Sequence, residues 1–437
     1  MGPGAAVVKI CVYGLWHLGS VTAACLADAG FTTLGMDPRP ETIVELSRGH
    51  PPLFEPGLEA LTQGGLASGK LSFTADQADV ADADIIWVTF DTPVDEEDRA
   101  DSNAVIQAVQ RLFPYVKDGA VILISSQLPV GSVQELDVAF AAVAQGRQVA
   151  FACSPENLRL GKAIEVFTNP GRIIIGSRDA RVRAVLEPVL ARFCDTLIWI
   201  STESAEMTKH AINAFLATSV TFMNEVATVC ERVGADAAEV ELALRSEPRI
   251  GQRAYIRPGG AFAGGTLARD VMFLTEIGGR HDLSLPLLSG IIPSNKRHRQ
   301  WSFDQLTTRL RGVARHRIAV LGLTYKPGTN SLRRSASIEL CRQLAEAGAV
   351  VVAHDPEAES LPPDLVTTVE RATTVQAALE KAEAAVIATE WPEYRDLAPA
   401  TLLSAMSRPL ILDQGRFLGD RLARDTRFQY VTVGTPL

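Results

Sequence analysis

The chain has 437 residues, enough for two or three domains, and its 47% hydrophobic and 21% charged residues are the balance of an ordinary soluble globular protein. Its net charge of -9, with no basic face in evidence, argues against nucleic acid as a general partner. No run of about 18 apolar residues points to a membrane partner.

Met1-Gly2-Pro3-Gly4 lacks the charged and apolar regions of a signal peptide. The six cysteines (Cys11, Cys25, Cys153, Cys194, Cys230 and Cys341) are scattered through apolar segments, with no CxxC pair and no metal-ligand spacing. Reduced, buried thiols in a cytoplasmic protein without a metal site are expected.

The first element is an apolar strand, Val7 to Tyr13, ending at Gly14. A helical pattern follows, then a strand from Thr32 to Met36 and Asp37: βαβ order. Gly14-Leu15-Trp16-His17-Leu18-Gly19 occupies the place of the dinucleotide-binding turn, G-x-G-x-x-G. Gly14 permits the tight turn and Gly19 allows close helix–strand packing. Trp16 stands where the second glycine normally lets the backbone approach a pyrophosphate. The helix N-terminus at His17 and Leu18 still offers N–H groups to an anion. Asp37, about 20 residues on, stands where an acid binds the adenosine ribose. An acid there disfavours a 2′-phosphate, so the expected cofactor is NAD rather than NADP.

Further strands read at Ile85–Thr89, Val121–Ser125, Val149–Cys153 and Arg172–Ile175, with helical patterns between them. That alternation implies a mostly parallel sheet with helices on both faces. From Thr202 to Val233 one long helix is expected, with Ser201, Thr202 or Ser204 as cap and Gly234 as stop. Helical character continues to about residue 310 around a glycine-rich loop, Arg257 to Gly265. The basic stretch Pro293 to Arg299 reads as a solvated helix face. A second βαβ unit opens at Arg317–Gly322, and its second strand runs into His354-Asp355-Pro356. The fold class is therefore α/β: two Rossmann-like, doubly wound parallel-sheet domains (residues 1–200 and 313–437) joined by a central helical region (201–312) with one long helix.

Several motifs carry chemistry. Thr92-Pro93 and Ser126-Gln127-Leu128-Pro129-Val130-Gly131-Ser132 follow strand ends in the first half. Ser154-Pro155-Glu156-Asn157-Leu158-Arg159-Leu160-Gly161 follows another. Ala205-Glu206-Met207-Thr208-Lys209-His210-Ala211-Ile212-Asn213 sits on the long helix, extended by Phe222-Met223-Asn224-Glu225. Lys209 and Asn213 stand four residues apart, so they share one helix face. Arg249-Ile250-Gly251 leads to Gly264-Gly265-Thr266-Leu267-Ala268-Arg269-Asp270. Gly322-Leu323-Thr324-Tyr325-Lys326-Pro327-Gly328 leads to Leu332-Arg333-Arg334-Ser335.

Together, over roughly residues 8 to 430, these resemble the UDP-glucose/GDP-mannose dehydrogenase family. The resemblance implies that Lys209 and Asn213 stabilise the oxyanion of alcohol oxidation, with Asp270 linked to proton transfer and Glu156 matching the first of two catalytic glutamates. For Asp270 an N-cap on a helix beginning near Val271 is the alternative, and the two roles are compatible. The resemblance puts Thr92 and Gln127 beside the cofactor; Gln127 replaces a threonine that helps hold a catalytic water. It puts Tyr255, Arg257, Gly260, Phe262, Gly264, Gly265, Thr266, Lys326 and Arg333 around the nucleotide sugar. Glu390-Trp391-Pro392 and Asp413-Gln414-Gly415-Arg416 match late family features.

Two departures fall on one half-reaction. The family's cysteine after the two glycines, which forms the thiohemiacetal for oxidising an aldehyde, is absent, and its segment is one residue shorter here. The family's second glutamate, linked to thioester hydrolysis, is Leu160. A leucine neither activates water nor accepts a proton. Thr266, the nearest hydroxyl, is a poor nucleophile without an adjacent base.

The expectation is an NAD-dependent enzyme acting on a nucleotide sugar, a UDP-sugar first, at the alcohol/carbonyl level, either releasing a carbonyl product or returning the hydride. A non-catalytic nucleotide-sugar-binding homologue and a variant of the full four-electron dehydrogenase are the alternatives. Apolar positions around the long helix, together with the resemblance, imply a two-fold homodimer.

Overall fold

The computed structural model describes residues 8–92, 101–156, 158–263 and 265–436. The chain forms two compact units that divide at residue 211. Val7, Pro93, Asn157 and Gly264 lie outside the described residues.

The first unit is built on an eight-stranded sheet: β1 (Lys9–Tyr13), β2 (Thr32–Met36), β3 (Leu71–Thr74), β4 (Ile85–Val88), β5 (Val121–Ile124), β6 (Ala150–Cys153), β7 (Ile173–Ser177) and β8 (Leu197–Ile200), in spatial order 3-2-1-4-5-6-7-8. All neighbours run parallel except β6 and β7. Strand alternation sends Cys11 and Tyr13 into the core on one face and Ile10 and Val12 into the core on the other. Both faces are thus covered, which is why the strands read as continuous apolar runs.

The second unit carries a six-stranded, wholly parallel sheet: β9 (Arg317–Leu321), β10 (Val350–His354), β11 (Val369–Arg371), β12 (Ala384–Ile387), β13 (Leu410–Asp413) and β14 (Gln429–Val431), in order 11-10-9-12-13-14. Ile318 and Val320 face one core, Ala319 and Leu321 the other. The first of these cores also holds Met223, Ala227, Ala237, Trp301 and Leu306 from the preceding helices. In both sheets the chain order reverses beside the central strand, β1 or β9, which makes the crevice where ligands bind such folds.

The long helix spans Thr202–Val233, as its pattern predicts. The Ser201 hydroxyl accepts from the Ser204 N–H at 3.3 Å, and Gly234 stops the helix at φ +80°. All six cysteines are buried and unpaired. Among the described residues no helix is long and apolar enough to cross a membrane.

Two expectations are corrected. The helix carrying Asp270 begins at Thr266, not near Val271, so Asp270 lies in its second turn and the N-cap position falls to Gly265. Thr266-Leu267-Ala268-Arg269 has no residue that stops a helix, and Gly265 enters it with helical dihedrals. The stretch Pro293–Arg299 is a solvated face only in part: Pro293, Lys296 and Arg297 are exposed. Asn295 and His298 are buried, and both hold the glycine-rich loop.

Candidate cofactor and substrate sites

In the first unit the turn after β1 is a strained, close-packed corner. Gly14 has φ +99°, and a Cβ there would lie 2.8 Å from the Phe90 ring. A Cβ on Gly19 would lie 1.8 Å from the Gly14 carbonyl oxygen, so nothing larger than hydrogen fits. Thr89 locks the corner by donating to the Gly14 carbonyl at 2.8 Å. Among the described residues no side chain caps the helix His17–Asp28, so its first N–H groups suit an anion.

Trp16 has φ -87°, an angle open to any L residue, and its ring turns outward, 39% exposed. The bulk at the second glycine position therefore stands beside the turn rather than inside it. Asp37 is buried at the end of β2, at the level of the turn, and accepts the Leu15 N–H at 2.8 Å. A free helix terminus, two positions fitting only glycine and a buried acid after β2 fit a dinucleotide.

His17 and Leu18 have additional duties. His17 Nε2 meets Glu55 at 3.0 Å, and Glu55 also accepts the N–H groups of Gly161 at 2.7 Å and Ala163 at 2.8 Å. Burial would raise the Glu55 pKa, but His17 and these two N–H groups outweigh it and hold the carboxyl below its ordinary value. Glu55, which no local pattern marks, thus ties the segment after Glu156 to the helix His17–Asp28. Leu18 lines an apolar cavity with Trp87, Phe167 and Glu156.

A second cavity is lined by Ser126, Gln127, Cys153, Glu156, Glu206, Lys209 and His210, among others. It brings together Lys209, Glu156 and Gln127, which are far apart in sequence. Lys209 Nζ donates to the Glu156 carbonyl at 2.6 Å and lies 3.5 Å from its carboxylate. The ammonium is largely buried, so its charge acts in a medium of low dielectric. Ser126 Oγ is buried here with no partner among the described residues. Thr92 joins the edge by donating to the Gln127 carbonyl at 2.5 Å. Glu206 accepts the N–H groups of Gly131 at 2.7 Å and Val133 at 2.9 Å, fixing the loop after β5 on the long helix; burial raises its pKa nonetheless. Cys153 is 5% exposed, and burial first, then the nearby Glu206 charge, pushes its thiol well above the ordinary value. It is held as an inert thiol.

In the second unit Asn213 Nδ2 donates to Asp270 Oδ2, both side chains being buried. The glycine-rich loop is clamped by side chains. Asn224 accepts the Gly259 N–H at 3.1 Å and donates to the Gly260 carbonyl at 3.3 Å. Asn295 pairs with both backbone groups of Phe262, at 2.9 and 3.0 Å. His298 Nε2 donates to the Gly259 carbonyl at 2.7 Å, and burial lowers its pKa.

This loop borders a cavity of about 150 Å³ at the ends of β9 and β12, whose lining includes Gly260, Arg299, Ser335, Ser337, Glu390 and Gln414. Arg299 Nη1 donates to Glu339 at 3.0 Å, while its Nε is buried without a partner among the described residues, one donor open to an acceptor. Burial raises the Glu390 pKa, and Arg257 opposes the shift. Arg257 itself donates to the Gly415 carbonyl. Of the expected substrate residues, Gly260 lines this cavity and Phe262 a neighbouring one. Lys326 and Arg333 do not line it; Lys326 stands 5.6 Å from the Tyr325 ring and Arg333 is exposed. Tyr255 and Thr266 are exposed, and Gly265 begins the Thr266 helix. Arg299, Asn295, His298 and Asn224 do what sequence reasoning assigned to none of them. Their signal was faint: polar residues at i and i+3 or i+4 on a helix with apolar neighbours.

Family models describe three successive parts of the chain. The NAD binding domain of the UDP-glucose/GDP-mannose dehydrogenase family matches residues 8–194, its central domain 203–297 and its UDP binding domain 319–420. The chain is 32% identical over 438 residues to the UDP-glucose 6-dehydrogenase of Rhizobium meliloti (strain 1021), spanning 98% of this chain and 100% of the relative. It is 32% identical over 434 residues to the UDP-glucose 6-dehydrogenase TuaD of Bacillus subtilis (strain 168), spanning 98% of this chain and 93% of the relative. A solved UDP-glucose dehydrogenase from the hyperthermophilic archaeon Pyrobaculum islandicum superposes with a TM-score of 0.86 at 30% identity, over 100% of this chain and 99% of that one. Two Rossmann-like units, a turn shaped for a dinucleotide and these matches end to end have one reading: the chain belongs to the UDP-glucose/GDP-mannose dehydrogenase family.

Proposed function

We propose that this enzyme oxidises a UDP-sugar at the alcohol/carbonyl level and does not proceed through the thioester route to an acid. The observation that carries the reading is the segment Gly265–Asp270. It holds no cysteine, and its one hydroxyl, Thr266, is exposed at a helix start with no base assigned to it. Cys153, which lines the Lys209 cavity, is buried and held protonated. Leu160, at the second glutamate's place, is 40% exposed and carries no proton. The relatives named above are UDP-glucose 6-dehydrogenases, which supports a UDP-sugar as substrate, and the open Arg299 Nε supports a hydrogen-bond acceptor in the second unit's cavity.

Bound NAD supplies the electron acceptor. The chain's own residues supply the rest. Gly14, Trp16, His17, Leu18, Gly19 and Asp37 would hold the cofactor, with Thr92 and Gln127 at the edge of its site. Lys209, held beside Glu156, stabilises oxygen as it gains negative charge, and Asn213, one turn further along the helix, adds an amide donor. Asp270, bonded to Asn213, orients that amide and receives or relays the proton. Gly264 of the substrate loop belongs to the same assignment and lies outside the described residues. The test is a count of NADH formed per sugar consumed, over a panel of UDP-, GDP- and ADP-sugars. At most one NADH per sugar is expected; recovery of a uronic acid with two NADH per sugar would sink the reading.

The same proposal includes a two-fold homodimer. Phe215, Phe222 and Val229, at seven-residue spacing, are 69%, 51% and 59% exposed, and Val233 continues the stripe at 69%. Met223, Ala227 and Cys230 face the second unit's core instead. A stripe at this period is what a second copy of the helix covers. Light scattering at micromolar concentration is expected to give about twice the 47.0 kDa of one chain. A mass near that of one chain rejects the dimer.

A further inference from the structure

We propose that Arg39 and Trp16 make the adenosine end of the cofactor site a receptor for a 2′-phosphate, so that the enzyme accepts NADP as well as NAD. This rests on the cofactor site described above. It runs against the simple expectation that an acid after β2 repels the phosphate, and the reason is what surrounds that acid.

Asp37 accepts four hydrogen bonds from its own unit. Oδ2 takes the Leu15 N–H at 2.8 Å and Arg39 Nη2 at 3.1 Å; Oδ1 takes the Arg39 N–H at 3.1 Å and Arg39 Nε at 2.9 Å. A carboxylate offers about four lone-pair sites, so a ribose diol reaches Asp37 only by displacing one of these donors. The Arg39 fork also cancels the negative charge that would exclude a phosphate. Asp37 thus holds the adenosine end of the cofactor through the arginine that it anchors.

The guanidinium then faces the other way. Two of its five or so donors are spent on Asp37, and the side chain remains 47% exposed. Its Cζ lies 6.0 Å from the centre of the Trp16 ring, itself 39% exposed. An exposed ring beside a guanidinium restrains it by cation–π attraction and adds a flat wall for a base. A planar cation with open donors, held by a buried acid on one side and an aromatic ring on the other, is built for a phosphate monoester. Glu41 is the other acid close enough to act on Arg39; it is exposed and therefore screened.

The test is calorimetric titration of the full chain with NAD, NADP, 5′-ADP and 2′,5′-ADP. NADP is expected to bind within about tenfold of NAD, and 2′,5′-ADP at least as tightly as 5′-ADP. Arg39→Ala is expected to weaken NADP and 2′,5′-ADP by about tenfold to a hundredfold, the worth of one or two charge-assisted hydrogen bonds. The same variant frees Asp37, so NAD binding is expected to hold or tighten. NAD binding with NADP more than about a hundredfold weaker overturns this proposal alone. Binding of neither dinucleotide overturns it together with the cofactor site. Equal weakening of NAD and NADP by Arg39→Ala, with an unchanged melting temperature, also overturns it, because Arg39 would then not read the phosphate.

Discussion

Lys209→Ala is expected to lower turnover of the UDP-sugar by about a hundred- to a thousandfold, the usual cost of removing one preorganised donor from a developing oxyanion. The expectation follows from where the ammonium sits. It is held at 2.6 Å by the Glu156 carbonyl and lies 3.5 Å from the carboxylate, on a rigid helix and largely out of water. Its position is set before substrate arrives, so no reorganisation is needed as charge develops. The loss should fall on kcat and kcat/KM together, because the interaction belongs to the transition state. Binding of NAD and of UDP, and the melting temperature, should be unchanged. Turnover within about threefold of the parent, with a substrate in hand, would show that Lys209 is not the oxyanion donor.

Asp355→Ala is expected to destabilise the second unit by about 3 kcal/mol or more, since it orphans several buried donors at once. Asp355 ends β10 as Asp37 ends β2, but its carboxylate is wholly structural. Oδ2 accepts from Leu323 N at 2.6 Å, Thr324 N at 3.0 Å and Trp391 Nε1 at 3.1 Å; Oδ1 accepts from Glu357 N at 2.9 Å and Ala358 N at 3.0 Å. Burial alone would raise its pKa, but the four backbone N–H groups reverse the shift and hold it below the ordinary value. A carboxyl whose folded pKa is depressed contributes stability that is present above its unfolded pKa of about 3.9 and lost as pH falls through the folded value. The advantage of the parent over Asp355→Asn should therefore be complete at neutral pH and shrink below about pH 4. Urea unfolding as a function of pH measures both effects. A loss under about 1 kcal/mol for the alanine variant would mean that water replaces the carboxylate.

The two aspartates illustrate how far sequence reading goes. Both sit at the same place in a βαβ pattern, and period and spacing alone treat them alike. Their partners differ: Asp37 holds Arg39, two residues on, while Asp355 holds the turn after β9 and Trp391. The missed edge strands β3, β8, β11 and β14 have a related cause. They are three or four residues long, and most carry a polar or exposed position, so their alternation is too brief to stand out.

By itself the sequence determined the two nucleotide folds, the bounds of the long helix, the corner at Gly14 and Gly19 and the absence of a cysteine from Gly265–Asp270, because each is written in local periodicity, in a residue's φ or in a side chain's identity. Only the tertiary structure decided that Asn295 and His298 turn inward to clamp the glycine-rich loop, that Glu55 ties residues 161 and 163 to the helix His17–Asp28 and that Arg39 pairs with Asp37. Those outcomes depend on which buried polar group finds which partner. A buried donor or acceptor must be satisfied, but where several partners are chemically equal, the packing of distant segments selects among them, and no local pattern records that choice.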